Sequence, residues 1–332
     1  MKAITLASKQ QSKLLLTEVQ EISLKKGEVR VSIKAAALNH RDEWCRQGLY
    51  PNIKDGVVLG SDGAGIVTEL GEGVDQDWFK KEVIINPALH WGEDQKVQSA
   101  SFEILGMPRN GTLAESVVVP ADRLFDKPGH LTWEEAAALP LSGLTAFRAL
   151  TYQGNIEPGE NLLVTGFGGG VAQYAVQFGL ALGAKVSTSS SSPEKLERAK
   201  VLGVSYVFNY LNNNWISESL KQVNGFDLIV DGAVGNTLNQ LIQVAKPGGK
   251  IVFYGATLGN PSKLEARKIF WNQLKIMGST MGSDTDFKAM VSLVCEKKIH
   301  PIIDQVFKFD EAEKAFDRMR DGQQMGKIVL VP

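Results

Sequence analysis

The sequence predicts an α/β protein: a doubly wound parallel sheet joined to a separate β-rich domain. Three observations carry this. A glycine-rich turn, Gly166, Gly168, Gly169 and Gly170, stands between an apolar run (residues 161–165) and a helical pattern opened by Val171. Short β-rich runs then alternate with helical patterns as far as residue 278, the signature of βαβ units. Residues 1–120 read differently, as short strands separated by Gly, Pro and Asp turns, in the manner of a small barrel or sandwich. The chain of 332 residues suits two domains.

Taken in order, strands are expected at residues 1–5, 29–33, 65–69, 82–85 and 115–119, with a boundary near Pro120 to Pro128. The doubly wound run follows. Strand 161–165 and helix 171–182 flank the glycine turn, and strand 185–189 comes next. Ser192 then caps a helix, with Pro193 at its first position and Glu194 in its first turn. Gly203 ends that helix. Strands at 206–209 and 226–231, a helix at 236–244, a turn at 246–249 and strands at 250–254 and 274–278 complete the run. The tail reads as strand 305–309, helix 310–321 with Asp310 as cap, and strand 327–331. These late strands are expected to return to the N-terminal domain.

A net charge of −1 removes any electrostatic case for a nucleic-acid or membrane-surface partner. No window approaches the ~18 consecutive apolar residues of a membrane span, and the start lacks a secretory apolar region. Two cysteines, Cys45 and Cys295, exclude a disulfide framework and fit a reducing, cytoplasmic setting.

A strand, a tight glycine turn and a helix form the context in which backbone N–H groups meet a dinucleotide pyrophosphate. NAD-specific sites usually end the second strand with an acid that accepts hydrogen bonds from the ribose 2′-OH. Here that position holds Ser189, Ser190, Ser191 and Ser192, and no acid occurs until Glu194. Hydroxyls can donate to a 2′-phosphate, and Lys195 can supply charge, which suits NADP(H).

The chain resembles the medium-chain dehydrogenase/reductase superfamily, specifically its zinc-free quinone-oxidoreductase-like branch. The markers are Asn39-His40-Arg41-Asp42 followed by Gly48 and Pro51, then Gly60-Ser61-Asp62 and Gly65. Residues 138–146, the glycine turn, Pro247-Gly248-Gly249 and Gly326-Lys327 complete the set, nearly end to end. The resemblance implies a GroES-like β-barrel substrate domain at residues 1–122 and 280–332 around a Rossmann domain at 123–279. It also implies a homodimer pairing the two Rossmann sheets at strand 274–278, beside Ile269, Phe270 and Trp271.

By the same resemblance, zinc members carry Cys, His and Cys where this chain has Asn39, Ser61 and Ser142. A catalytic zinc needs about three ligands from Cys, His, Asp or Glu; these three are poor ones, and residues 86–111, the region of the structural-metal lobe, hold no cysteine. No metal is expected. Lys195 and Tyr210 are implied to flank the 2′-phosphate, and Tyr254 and Gly255 join the cofactor set. Asn39 is implied beside the nicotinamide ribose and Thr145 near the nicotinamide. Asp42 either orders the turn or is a helix N-terminal acid. Tyr50 either donates to a carbonyl or packs in its loop. Arg41 is a weak candidate donor, and His40 reads as structural rather than as a base.

The expected activity is zinc-independent, NADPH-dependent hydride transfer to a quinone or an α,β-unsaturated carbonyl. An alcohol/aldehyde oxidoreductase and a non-catalytic NADPH-binding or sensor protein are the alternatives.

Overall fold

In the computed structural model, which describes all 332 residues, the chain opens with an antiparallel hairpin of β1 (Lys2–Leu6) and β2 (Leu14–Glu18). There follow β3 (Glu28–Ala37), α1 (His40–Gln47), β4 (Asp62–Leu70), β5 (Glu82–Ile85), β6 (Ala88–Leu89), β7 (Glu103–Ile104), β8 (Ser116–Pro120), β9 (Leu124–Asp126), α2 (Trp133–Ala138) and α3 (Pro140–Arg148). The central run is β10 (Asn161–Val164), α4 (Gly170–Ala181), β11 (Lys185–Ser190), α5 (Pro193–Val201), β12 (Tyr206–Asn209), α6 (Trp215–Val223), β13 (Phe226–Asp231), α7 (Leu238–Val244), β14 (Ala245–Phe253), α8 (Ala266–Trp271) and β15 (Lys275–Gly278). The chain closes with α9 (Asp284–Lys297), β16 (Ile303–Lys308), α10 (Ala312–Arg320) and β17 (Lys327–Val331).

Two compact units result: Met1–Ser142 with Gly282–Pro332, and Gly143–Met281. The first is the GroES-like unit. Its main sheet runs β16-β17-β3-β4-β5-β9, with β8 also on β3. Its core is the alternating inward set Val29, Val31, Ile33, Val67 and Val83 together with Ile328, Leu330 and Phe316. Strands β3 and β4 come so close that a Cβ at Gly65 would lie 2.1 Å from the Ser32 carbonyl oxygen, so only glycine fits there.

The second unit is the Rossmann unit, a six-stranded sheet in the order β12-β11-β10-β13-β14-β15, parallel throughout. Leu162, Leu163, Val164, Leu228, Ile229 and Val230 are fully buried, because helices cover both faces of such a sheet and its central strands read as continuous apolar runs. Gly179 lets α4 lie against β10; a Cβ there would meet Leu162 at 2.5 Å. Strand order reverses between β10 and β13, and ligands bind sheets of this kind beyond the carboxyl ends of the strands at that point. No helix is long and apolar enough to cross a membrane.

Several expectations need correction. The first unit runs on to Ser142 rather than ending near residue 122, because α2 packs on β3 and β4. The tail strands do return: β17 pairs with β3. Asp310 does not cap the last helix. It lies within a short 3-10 turn (Phe309–Glu311), and the Glu311 carboxylate accepts from the Lys308 N–H instead. Strand β14 begins at Ala245, so the expected 246–249 turn is a bulged part of the strand. The partner strand β2 is absent from the sequence reading, since its Leu-Leu-Leu run does not alternate.

Candidate active site

In the GroES-like unit, β3 ends at Ala37 and the chain turns into α1 with Asn39 as the N-cap in extended conformation. The Asp42 carboxylate accepts from the Asn39 backbone N–H at 2.8 Å, so Asp42 orders this turn. Burial raises the Asp42 carboxyl above the ordinary aspartate value, opposed by Arg41 and by that N–H. The Asn39 side chain faces a buried cluster. Its Oδ1 accepts from Lys327 Nζ (2.7 Å) and Ser142 Oγ (3.1 Å), while its Nδ2 donates to Asp62 Oδ2 (3.0 Å). Lys327 Nζ donates further to Asp62 Oδ2 (2.9 Å) and Ser142 Oγ (3.3 Å). Asp62 Oδ1 accepts from the Leu141 N–H at 2.8 Å. Lys327 is 2% and Asp62 0% exposed, so this ion pair sits out of water and is held by further hydrogen bonds.

Beside it, Arg41 Nη1 donates to Ser61 Oγ (2.6 Å) and to the Leu105 carbonyl (2.7 Å), and Nη2 donates to the Met107 carbonyl (3.1 Å). Its guanidinium also stacks 4.7 Å from the Tyr50 ring centroid, and Nε donates to the Tyr50 oxygen at 3.4 Å. Arg41 is thus committed to the protein. Tyr50 accepts in that bond, so its own O–H is not used by Arg41. Burial, and then the Asp42 charge, push the Cys45 thiol up to about 12, which keeps it protonated and unreactive.

Superfamily relatives that bind zinc raise the question whether these residues fit a metal. They do not. Asn39, Ser61 and Ser142 are neutral oxygen donors already engaged in hydrogen bonds, and an ammonium and a guanidinium stand among them. No group of three His, Cys, Asp or Glu side chains could hold a metal ion. Residues 86–111 are organised instead by a short β6–β7 ladder and an edge-to-face contact of Trp91 with Phe102 at 5.4 Å.

In the Rossmann unit, the turn after β10 has Gly166 at φ 66° and Gly168 at φ 145°, a backbone region that other residues rarely adopt. Gly169 is the N-cap of α4 and supplies no side-chain cap, so the first N–H groups of the helix are left for another acceptor, the setting in which anions bind. A Cβ at Gly168 would meet the Lys195 side chain at 2.9–3.0 Å, which places the lysine over the glycine turn. The cradle fits a dinucleotide pyrophosphate with a cation at its rim. Ser192 caps α5, as the sequence indicates, accepting from the Lys195 N–H at 3.3 Å.

The serines divide. Ser189 and Ser190 are buried in β11, and Ser190 Oγ accepts from the Ser192 N–H; Ser191 is partly exposed. Tyr210 follows β12 and is exposed, one residue beyond Asn209, which pairs with Ser190. Tyr254 is crowded against Gly232, where a Cβ would come 2.7 Å from its hydroxyl, and Gly255 likewise faces the Gly232 carbonyl. Burial, and then Asp231, raise the Tyr254 hydroxyl above the ordinary tyrosine value. Thr145 is buried in α3, with its hydroxyl 3.9 Å from the Met281 sulfur.

Sequence reasoning missed three residues. Lys327 and Asp62 lie inside recognised motifs, but only tertiary pairing assigns them a role. Asp231, at the end of β13, accepts from Thr165 Oγ1 and from the N–H groups of Ala233 (3.1 Å) and Val234 (2.7 Å). It thereby holds Val234 at φ 56°, a strained value for a β-branched residue. An acid closing a buried strand ahead of a glycine-containing loop was the available signal.

Residues 25–129 match the family model of the alcohol dehydrogenase GroES-like domain, and residues 170–296 match that of zinc-binding dehydrogenase. A zinc-type alcohol dehydrogenase-like protein of Leptosphaeria maculans is 36% identical over 326 residues, covering 91% of this chain and 90% of that one. One from Schizosaccharomyces pombe is 37% identical over 319 residues, covering 92% and 91%. A crystal structure of an NAD-dependent alcohol dehydrogenase superposes with a TM-score of 0.95 at 34% identity and covers 100% of both chains.

Proposed function

The chain belongs to the medium-chain dehydrogenase/reductase superfamily, and from that premise we propose that it is a zinc-independent, NADPH-dependent reductase of quinones or α,β-unsaturated carbonyls. Oxidoreductase chemistry with a nicotinamide cofactor is the family property. The single observation that carries the narrower reading is the set Asn39, Ser61 and Ser142, engaged by Lys327 and Arg41 where zinc relatives have ligands. A zinc ion usually polarises the carbonyl in alcohol/aldehyde oxidoreduction. An enone or quinone spreads the incoming charge over a conjugated oxygen and depends less on such polarisation.

The Gly166, Gly168, Gly169 and Gly170 turn and Val171 would hold the pyrophosphate. Lys195 and Tyr210, with Ser191 at the rim, would hold the 2′-phosphate. Tyr254 and Gly255 would line the cofactor. Bound NADPH supplies a hydride from nicotinamide C4. In an enone the hydride adds to the β-carbon, the oxygen gains the charge as an enolate, and a proton from solvent reaches the α-carbon. Tyr50 is the donor proposed for that oxygen, Asn39 and Thr145 position the reactants, and Asp42 holds Asn39 in its turn.

The test is a screen of NADPH oxidation against quinones, enones and aldehydes. Turnover of a quinone or enone, with aldehydes inert, supports the reading; aldehyde turnover that requires added zinc overturns it. The names of the relatives favour a second reading, an NAD-dependent alcohol oxidoreductase. Tighter binding of NADH than of NADPH would select it.

We further propose a cytoplasmic homodimer. Strand β15 pairs only with β14 and ends the sheet, and Phe270 and Trp271 beside it are 68% and 80% exposed. An unpaired edge with flanking aromatics suits pairing with a second copy. Light scattering should give twice the chain mass of 36.2 kDa at micromolar concentration; a monomer there counts against it.

A further inference from the structure

Lys327 opens β17, the last strand, which pairs antiparallel with the end of β3 just before Asn39. This pairing brings residues 39, 62, 142 and 327 together. An ammonium has three hydrogens, and here each has an acceptor: Asn39 Oδ1, Asp62 Oδ2 and Ser142 Oγ. The arrangement also settles which way the Asn39 amide points. With Oδ1 toward the ammonium and Nδ2 toward the carboxylate, both contacts are attractive. A flipped amide would set its NH2 against the ammonium and its oxygen against the carboxylate.

We propose that Lys327 is a positioning residue that takes the place of a metal cation in this site, fixing Asn39 and Ser142 by hydrogen bonds while donating nothing to the substrate itself. The inference rests on the reductase reading for its consequence but on geometry for its content. Zinc keeps an open coordination position for substrate; this ammonium has none, so its influence passes through Asn39, Ser142 and its field. Asp62 accepts from Asn39 Nδ2, and Lys327 donates to Asn39 Oδ1, so the pair fixes the plane of the amide. The same field reaches His40. Its imidazole is held below the ordinary histidine value by desolvation first and then by Lys327, although the residue as a whole is exposed. The Trp44 ring lies 6.3 Å from it.

Lys327→Met alone would strand the buried Asp62 carboxylate, so the informative variant is the double substitution Lys327→Met with Asp62→Asn, which removes both charges at similar volume. If Lys327 merely neutralises Asp62, the double variant regains both stability and turnover. A positioning role predicts recovered stability but a kcat for NADPH oxidation by 1,2-naphthoquinone lowered about ten- to a hundred-fold, with NADPH affinity unchanged. It also predicts that the His40 titration midpoint rises; the signal is assigned among the four histidines with His40→Gln. Wild-type kcat in the folded double variant, or an unmoved His40 midpoint, overturns the inference. If the wild type itself oxidises no NADPH with any acceptor, the functional reading fails, whereas an active wild type with a double variant of equal kcat fails this inference alone.

Discussion

Around Lys327 every donor hydrogen of the ammonium has an acceptor inside the protein, whereas at the glycine turn ahead of α4 the first-turn N–H groups have no side-chain cap. The first region is assembled from residues spread over nearly the whole chain, and its charge is buried. The second is built from consecutive residues, of which Gly166 is exposed and Gly169 partly so. The difference separates two tasks. A place that receives a diffusible anion must leave donors uncommitted. A place that fixes side chains for chemistry must satisfy its donors, because any left open would be free to reorient.

The comparison breaks most severely at Asp62. Asp62→Ala leaves a buried ammonium without its carboxylate, and removing one partner of a buried pair costs about 3–5 kcal/mol. Urea unfolding should show a loss of that size; a loss below about 1 kcal/mol would mean that the pair is not closed from water. The glycine-turn region should lose binding rather than stability. Lys195→Ala removes a charge-assisted contact worth roughly 1.5–3 kcal/mol, so NADPH should bind about ten- to a hundred-fold more weakly, with NADH nearly unaffected. Equal weakening of both cofactors would show that Lys195 does not read the 2′-phosphate.

Gly168→Ala sharpens the same point. The alanine must adopt φ near 145° and crowd Lys195, a strain of about 1–3 kcal/mol. NADH and NADPH share the pyrophosphate and should weaken together by about tenfold, as titration of cofactor fluorescence can show. The smallest effect is at Cys45. Burial pushes its thiol up to about 12, so little thiolate is available at pH 8. Iodoacetamide at that pH should label the half-buried Cys295 and spare Cys45, as read by peptide mass spectrometry. Labelling of Cys45 at an equal rate would show that α1 opens readily.

Much of the Rossmann unit was legible because its signals are local. A cap of Ser192 before Pro193, a glycine turn between strand and helix, and fully apolar central strands each follow from neighbours in sequence. The GroES-like unit was harder. Its first junction is set by α2 packing on β3 and β4, which no run of residues announces. The serines illustrate the limit within a recognised motif. The sequence places Ser189, Ser190 and Ser191 at the end of β11. The place of β11 inside the sheet, between β12 and β10, then decides that Ser189 and Ser190 are both buried, whereas Ser191, past the strand end, is partly exposed.

By itself, then, the sequence determined the two-unit plan and the glycine turn between strand and helix, and its resemblance to the superfamily singled out Asn39, Ser61 and Ser142. Those depend on residue identity and short-range geometry. Only the tertiary structure decided what occupies the space beside them. Asn39, Asp62, Ser142 and Lys327 are up to 288 positions apart, and no periodicity or spacing couples them. Their meeting depends on the register of β17 on β3 and on the turn into α1. A buried lysine becomes intelligible only when its three acceptors are in place.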